Sequence, residues 1–349
     1  MSKDLNFPHI EFQEKMTPEQ RGHLHGEEYS KSIIELSEIR RDLMLSKSPH
    51  LAENLKELSK AQYDYTAKIF PEQFQELEAI RLSSGASIEE IVILNNYTDF
   101  RDIQLPEEGC TTVGLKRDDY TSGQTWDMHS SAKNYVCTMG VQGKWQAFSL
   151  VGCLGMMGAN SKSIFVGVNN INTKNAAPGV IWPALIRALI KSESLKGLRS
   201  TLLGTKVTSG HNYLISDGSE WENWEIGATF QRLSDKIDSS LGLIYHTNHC
   251  LDPEAKEQEL PLALNSTSLN RLELITKKAE NLKTKADIIE VLQDHDGFPK
   301  SICSHFQSSA TDPSTTCGGA VFDHRNKKFL LWRCCPRDKE RYIERELQL

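Results

Sequence analysis

The chain changes character at Glu107-Glu108-Gly109-Cys110-Thr111-Thr112-Val113. Upstream, residues 17–100 carry apolar side chains three or four positions apart and two helix-start signals, the capping boxes that begin at Thr17 and Ser87. Downstream, short β-branched or aromatic runs are separated by Gly, Ser and Asn, which is typical of strands. The chain is therefore expected to begin with helices and to continue with mostly strands.

The part after Gly109 does not alternate regularly between strands and helices. Its patterns predict a group of strands, two helices, more strands, two further helices and a final pair of strands. A doubly wound sheet needs a helix after each strand, so an α+β layered sandwich fits better. Without an internal repeat or a Gly/Ser linker, residues 1–349 are expected to form a single domain. Strands are predicted at 111–115, 135–141, 147–151, 164–168, 212–216, 221–226, 241–247, 320–322 and 329–333, helices at 178–190, 194–203, 269–281 and 284–292, and a surface loop at 252–261.

The composition is that of a soluble globular protein. Of the 349 residues, 38% are hydrophobic and 25% charged, and the formal charge of −7 argues against nucleic acid as a partner. Residues 1–15 lack the apolar core of a signal peptide and no segment is long enough to cross a bilayer, so we expect a cytoplasmic protein with no membrane contact. The eight cysteines are too sparse for a disulfide-stapled fold and are expected to be reduced.

Gly109 and Cys110 suggest a specific reaction. Because glycine lacks a Cβ, the peptide can adopt a strained conformation in which the Cys110 thiol reaches the Gly109 carbonyl carbon. Attack there would form a thioester, and water would then release a new amino terminus at Cys110. The pair alone is weak evidence, because Gly152-Cys153 has the same sequence and a buried structural cysteine is the common alternative.

Four motifs occur in a fixed order along the chain. They are Gly-Cys-Thr-Thr at 109–112, Gln-Thr-Trp-Asp at 124–127, His-Thr-Asn-His-Cys at 246–250 and Pro-Lys-Ser-Ile-Cys at 299–303. In these motifs the chain resembles the acyl-coenzyme A:6-aminopenicillanic-acid acyltransferase family, a cysteine branch of the N-terminal-nucleophile hydrolases. Residues 17–26 and 91–100 are similar to that family too, so the resemblance covers almost the whole chain.

The resemblance implies a four-layer αββα sandwich with a helical N-terminal segment. It also implies that the precursor cleaves itself between Gly109 and Cys110, and that chains 1–109 and 110–349 stay associated. The enzyme would then be a hydrolase of carbon-nitrogen bonds other than peptide bonds, or an N-acyltransferase. Without a cofactor, it would cleave a linear amide bond of a small N-acyl compound and pass the acyl group from a Cys110 thioester to water, the first expectation, or to an amine.

Roles for individual residues follow from the same resemblance. The α-amino group of Cys110 would be the base for its own thiol, since their ordinary pKa values of about 7.7–8.0 and 8.5 lie close together. Asp127 would orient that amino group, and the side-chain NH2 of Asn248 would stabilise the oxyanion of the tetrahedral intermediate. Thr112, two positions along the same strand, is the candidate for a hydrogen bond near the cleavage centre. Each of the last three also has an ordinary explanation as a turn or strand residue.

Two positions depart from the family pattern. Ser304 and His305 follow Cys303 where the family usually has an arginine, and Thr315-Thr316 stand where the antibiotic-forming enzymes have arginine after serine. The loss of two guanidinium groups removes bidentate anchors for a carboxylate. Amide cleavage is therefore better supported than penicillin-type acyl exchange, and the roles of Ser304, Thr315 and Thr316 stay open.

Two other functions remain as alternatives. A relative that has lost turnover, or that is never processed, would act as a binding protein. A zinc-dependent hydrolase is opposed by geometry, because His-x-x-His on a strand places the imidazoles on opposite faces. Residues 294–297 are read as a turn rather than a calcium loop, and residues 334–335 as packing cysteines rather than a redox pair, so no metal is expected. The ligands of the zinc alternative would be His246, His249 and Cys250, completed by His211 or Asp252.

Overall fold

The N-terminal part of the chain is helical in the computed structural model, which describes residues 4–100, 109–263, 266–305 and 312–349. Both predicted capping boxes are confirmed. At Thr17 and at Ser87 the hydroxyl accepts the backbone N–H three residues ahead, and the side chain of that third residue accepts the cap N–H. After a short strand β1 (His9–Glu11), the helices are α1 (Pro18–Glu28), α2 (Ser30–Lys47), α3 (Leu55–Ile69), α4 (Pro71–Ser84) and α5 (Ile88–Asn96).

Two sheets follow. Among the described residues, the first has eight strands in the order β1-β4-β5-β6-β7-β8-β9-β10, and the second has six in the order β11-β2-β3-β12-β13-β14. All pairs are antiparallel except β1 with β4. The first sheet adds β4 (Val136–Val141), β5 (Trp145–Leu150), β6 (Met157–Asn160), β7 (Phe165–Ile171), β8 (Gly210–Ser216), β9 (Trp221–Ile226) and β10 (Gln231–Ile237). The second consists of β2 (Cys110–Lys116), β3 (Tyr120–His129), β11 (Gly242–His246), β12 (Ser314–Asp323), β13 (Lys328–Arg333) and β14 (Ile343–Gln348).

Helices cover the outer face of each sheet. The sheets meet where β2 and β3 pack against β7. On the first sheet, α6 (Trp182–Ile190) and α7 (Leu195–Leu203) contact β6, β7 and β8. On the second, α9 (Ser268–Lys278) and α10 (Lys285–Leu292) contact β11, β3 and β12. The αββα fold class expected from the sequence is confirmed, and helices α4 and α5 extend it by packing on α6.

Several elements differ from the sequence prediction. The central strand β3 was missed because Tyr120–His129 is largely polar, and yet it is buried on both faces between β7 and α10. The predicted helix at 178–190 begins only at Trp182, since Val180 forms a bridge with Val207. The predicted loop at 252–261 contains a short helix α8 (Pro253–Glu257), which the Asp252 carboxylate caps.

The resulting topology brings the start of β2 to the end of β3. Cys110 is the first residue of β2 and pairs with Trp126, so Asp127 comes just beyond this pair. Gly109 is described as well, whereas Glu107 and Glu108 lie outside the described residues. Within the described ranges no helix combines the length and apolar character that a membrane span requires.

Candidate active site

Cys110 is one of the residues that line a small pocket. Its residue is 4% exposed, and its strand lies between β3 and β11 in the sheet. The pocket has a volume of about 20 Å³, which is room for roughly one water molecule. The rings of Trp126 and Trp182 stack along one wall with centroids 5.7 Å apart. The other lining residues include Met128, Met156, Val168, Arg40, Asn170 and His211.

The peptide bond before Cys110 is hydrogen-bonded on both sides. Its carbonyl oxygen, on Gly109, accepts the backbone N–H of Asp127 at 2.7 Å. Its N–H, on Cys110, donates to Oδ1 of Asn248 at 2.7 Å. Both the polarity and the orientation of this one peptide are thus fixed by residues from two different segments.

Gly109 is required for space rather than for strain. A Cβ at this position would lie 2.6 Å from Oδ2 of Asp127 and 3.0 Å from Nη2 of Arg271. Its φ lies outside the left-handed region, so glycine is not required here for a left-handed backbone. The missing side chain instead lets a carboxylate and a guanidinium approach the peptide.

Asp127 has one satisfied and one unpartnered oxygen. Oδ1 accepts the Thr316 hydroxyl at 2.6 Å, whereas Oδ2 has no hydrogen-bond partner in the part of the chain that the structure describes. The side chain is fully buried, and this desolvation raises the pKa of Asp127 to about 6, against the opposing effect of the Arg271 charge. The carboxylate is therefore poised to take up a proton or a cation beside Gly109.

Arg271 joins the parts of this site, and sequence reasoning missed it. Its guanidinium donates to the Cys110 carbonyl, to Oγ1 of Thr111 at 3.0 Å and to Oδ1 of Asn248 at 2.7 Å. Helix α9 buries Arg271 on the same stripe as Ser268 and Ile275. An arginine on the apolar stripe of a helix was the signal available in the sequence, because a buried guanidinium needs several acceptors.

Asn248 is held in one orientation by its neighbours. Its backbone N–H donates to Oγ of Ser268 at 2.8 Å, and its side-chain NH2 donates to the Asn170 carbonyl at 2.9 Å. Its Oδ1 faces the Cys110 nitrogen, as described above. The NH2 group that the sequence assigned to an oxyanion is thus already engaged in this form of the chain, and it is the carbonyl end that meets Cys110.

Thr112 does not contact the residues of this centre. Its hydroxyl accepts the side-chain NH2 of Asn169 at 3.1 Å, across the interface between the sheets. Thr111, on the opposite face of β2, is the threonine whose hydroxyl binds Arg271. The structure therefore brings Cys110, Asp127 and Asn248 together and leaves Thr112 in the inter-sheet layer.

The residues that replace the family arginines orient Asp127. Ser304 and Thr316 form a reciprocal pair: the Ser304 N–H donates to Oγ1 of Thr316 at 2.8 Å, and the Thr316 N–H donates to the Ser304 carbonyl at 2.9 Å. Thr315 also donates its hydroxyl to that carbonyl, at 3.2 Å. Because Thr316 in turn binds Asp127, Ser304 and Thr316 fix the carboxylate without a guanidinium at either of their positions.

Comparison with known proteins decides the family. The profile of the acyl-coenzyme A:6-aminopenicillanic acid acyl-transferase family matches residues 115–339, well over half of the chain. The chain belongs to this family. A relative with 24% identity over 323 residues, 89% of each chain, is the acyl-coenzyme A:6-aminopenicillanic-acid-acyltransferase 40 kDa form of Emericella nidulans. The amidohydrolase or acyltransferase class expected from the sequence agrees with this membership.

Solved structures give weaker similarity. Penicillin V acylase from Agrobacterium tumefaciens has 12% identity and a TM-score of 0.35, covering 64% of this chain and 82% of its own. A mutant conjugated bile acid hydrolase from Clostridium perfringens has 8% identity and a TM-score of 0.40, covering 69% and 92%. Family membership therefore rests on the sequence profile.

The zinc alternative does not fit this member of the family. His246 binds Glu225 at 2.8 Å in a fully buried pair, and His249 binds Ser268 at 2.7 Å. His211 pairs with Asp99 at 3.3 Å, in another part of the pocket. Within the described residues, these side chains and Cys250 are not gathered into a metal-ligating group.

Proposed function

We propose that this chain is a self-processing N-terminal-cysteine amidohydrolase or acyltransferase. The observation that supports the proposal is the pair of hydrogen bonds to the peptide between Gly109 and Cys110. Its carbonyl accepts from Asp127 and its N–H donates to Asn248, each at 2.7 Å. A carbonyl that already accepts a backbone N–H is prepared to carry negative charge on its oxygen. Cys110 carries its thiol three bonds beyond the scissile nitrogen, within reach of the Gly109 carbonyl carbon, and is the matching nucleophile.

The scission would proceed through a thioester. The Cys110 thiol loses its proton and its sulfur bonds to the Gly109 carbonyl carbon, giving a tetrahedral oxyanion that the Asp127 N–H stabilises. The carbon-nitrogen bond then breaks, and the departing nitrogen takes up a proton to become the α-amino group of Cys110. Water hydrolyses the thioester, which leaves a carboxylate on Gly109 and restores the thiol.

The same groups would serve turnover afterwards. The new α-amino group would lie between Oδ1 of Asn248 and the Asp127 carboxylate, and would act as base towards the Cys110 thiol. Departure of Gly109 would free the Asp127 N–H to donate to a substrate carbonyl oxygen. In this scheme the oxyanion donor is the Asp127 backbone, and Asn248 positions the amine.

The pocket favours an apolar acyl group. Trp126, Trp182, Met128 and Met156 make up much of its lining, and aromatic and thioether side chains are suited to apolar ligands. With room for only about one water molecule, the uncleaved form has no space for such a group. Substrate entry would therefore follow scission, and the precursor would be an inactive zymogen whose small-molecule partner is an N-acyl amide.

Chains 1–109 and 110–349 would stay together after cleavage. Glu76 of α4 forms an ion pair with Arg187 of α6 at 2.7 Å, and both side chains are almost fully buried. Asn96 of α5 accepts the Trp182 N–H at 3.2 Å. Separation would also expose apolar side chains of α5 that are now buried, such as Ile91 and Val92, to water, which is unfavourable.

Replacement of Cys110 by alanine tests the proposal. We expect Cys110→Ala to give a soluble, uncleaved and inactive chain on a denaturing gel, whereas the wild type gives two pieces of about 12 and 27 kDa, in proportion to the 39.4 kDa whole. Cys153→Ala is the matched control, since it alters the other Gly-Cys pair, and it should be processed normally. Normal processing of Cys110→Ala would refute the scheme, and a wild type that stays intact and inactive towards N-acyl amides would favour a binding protein.

A further inference from the structure

Four metal-ligating side chains converge next to Ser304. The ring nitrogens of His295 and His305 and the sulfurs of Cys303 and Cys335 all lie within 4.8 Å of one another. Nε2 of His295 is 3.0 Å from Sγ of Cys335 and 3.3 Å from Nε2 of His305, and Sγ of Cys303 is 3.5 Å from the same Nε2 of His305. Both cysteines are buried.

Three of the separations between these atoms are close to the edges of a zinc tetrahedron. Zinc bonds of about 2.0–2.1 Å to nitrogen and 2.3 Å to sulfur give ligand-to-ligand edges of about 3.3–3.8 Å. Two of the three distances fall in that interval and the third is slightly shorter. Two thiolates would balance the charge of Zn²⁺, so the ion would be neutralised without a further anion.

The backbone around the cluster is arranged to hold it. The Cys303 N–H donates to the Asp294 carbonyl at 2.9 Å, which closes the loop that brings Cys303 next to His295. On the other side, Cys334 adopts a φ of 62°, a left-handed conformation that is strained in a non-glycine residue, and this turns the chain before Cys335.

Second contacts orient two of the ligands. The Thr315 hydroxyl lies 3.4 Å from Nδ1 of His305, on the side of the ring that faces away from the cluster. The backbone N–H of Arg337 points at Sγ of Cys335 at 3.3 Å. Metal-bound imidazoles and thiolates characteristically have such outer hydrogen bonds, because these fix the ring and stabilise the sulfur charge.

We propose that His295, Cys303, His305 and Cys335 bind one Zn²⁺ ion in a closed structural site. Two thiolates and two imidazoles are the donors that zinc prefers, and four protein ligands leave no open position for water or substrate. Binding releases the two thiol protons and changes no oxidation state. This differs from the prediction of no metal, which took residues 294–297 as a turn and Cys334-Cys335 as packing residues.

The site would also position Asp127. Ser304 lies between two of the ligands, and its N–H holds the Thr316 hydroxyl that binds Asp127. A metal that fixes Cys303 and His305 would thus fix the carboxylate two hydrogen bonds away. This coupling rests on the proposed function, whereas metal binding itself does not.

Metal content is measured on the full chain purified without an affinity tag, after reduction, loading with zinc chloride and dialysis. We expect about one zinc per chain for the wild type and for the neighbouring control Cys334→Ala, and less than about one tenth of that for Cys303→Ser and Cys335→Ser. Equal zinc in the serine variants, no retained zinc in the wild type, or a Cys303–Cys335 disulfide in freshly purified protein would overturn the site.

Cobalt substitution of the wild type keeps the test independent of how the variants fold. Co²⁺ in this site would show thiolate-to-cobalt charge-transfer bands, and their absence would overturn the proposal. To test the coupling, the rate of processing is measured with and without zinc. Zinc removal should slow processing of the wild type and have little further effect on Thr316→Val, because that variant already lacks the hydrogen bond to Asp127. Equal slowing in both would reject the coupling and leave the zinc site and the proposed function standing.

Discussion

The two Gly-Cys pairs of this chain share a sequence and differ in their surroundings. Gly152 has the left-handed conformation, with a φ of 83°, and its peptide bond to Cys153 is held by structural groups: the Gly152 carbonyl accepts from Asn95 at 2.9 Å and the Cys153 N–H donates to the Leu150 carbonyl at 3.0 Å. Burial raises the pKa of the Cys153 thiol to about 12. This pair behaves as a packed turn.

The other pair, Gly109-Cys110, has an unstrained glycine and chemically active neighbours. A carboxylate with an unpartnered oxygen and a guanidinium both lie against Gly109, and an asparagine oxygen holds the next N–H. A left-handed glycine therefore occurs in the pair without these neighbours, and glycine adopts that conformation without strain. What separates the two is the set of polar groups that the fold brings to the peptide.

The strongest contrast is expected from adding a methyl group to each glycine. In Gly109→Ala the new Cβ would press on Asp127 and Arg271, so processing should slow by roughly 10³-fold or more while the precursor stays folded. The half-life of the precursor on denaturing gels measures this. Normal processing of Gly109→Ala would contradict the claim that the close approach of Asp127 and Arg271 to Gly109 distinguishes the two pairs.

The matched change, Gly152→Ala, should act on stability alone. Its Cβ would lie 2.3 Å from Leu94 in a conformation unfavourable to alanine, so the free energy of unfolding should fall by about 1–3 kcal/mol or more. Denaturant unfolding measures that loss, and the folded fraction should process at the wild-type rate. A selective loss of processing here would show that the second pair contributes to the reaction.

Removal of the Arg271 guanidinium comes next in expected size. Arg271→Met should slow processing and turnover by roughly 10²–10³-fold, because the Cys110 carbonyl and Asn248 lose a shared donor. Single-turnover kinetics of N-acyl amide cleavage provide the measurement. Arg271→Lys should recover only part of the rate, since an ammonium cannot replace the planar fork; full recovery would reduce the role of Arg271 to its charge.

The two asparagines that hold the two peptides offer a smaller contrast. Asn248→Ala should slow processing by about 10–10²-fold, because the Cys110 nitrogen loses its orienting oxygen. Asn95→Ala should instead lower the free energy of unfolding by about 1–3 kcal/mol, because the Gly152 carbonyl is left unpaired in the interior. The free energy of unfolding and the rate of processing are measured for both variants. If both variants lost the same property, the distinction between the two peptides would be contradicted.

The smallest effect concerns the pH dependence of precursor stability in the Cys110→Ala background. The folded pKa of Asp127, about 6, is raised above its ordinary value of 3.8, so folding favours the protonated carboxyl. Stability from this group is full below about pH 4, is lost as the pH rises to about 6 and is constant above that. Asp127→Asn should remove this slope, measured as the difference between two unfolding series; an unchanged slope would assign it to a group other than Asp127.

Much of the fold was predictable because its signals are local. The capping boxes at Thr17 and Ser87 satisfy backbone groups within one turn, so sequence alone fixes where α1 and α5 begin. Strand β3 was missed, because its polar residues are buried through partners on β12 and α10 that no local pattern reveals.

The site was predictable in its motif residues and not in their connections. Cys110, Asp127 and Asn248 lie close together in the fold, and their catalytic roles stay a prediction. Arg271 belongs to no motif, and its contacts depend on how α9 packs beside the start of β2. The orientation of Asn248 is likewise set by Asn170 and Ser268 from distant segments, which is why its carbonyl rather than its NH2 faces Cys110.

Intact mass spectrometry of the purified, catalytically active wild-type protein under denaturing conditions tests the central claim most directly. The account predicts two species, one ending at Gly109 and one beginning with an unblocked Cys110, and a mass increase confined to the second when an N-acyl amide is added and quenched in acid. A single 349-residue species with full activity towards that amide would contradict it.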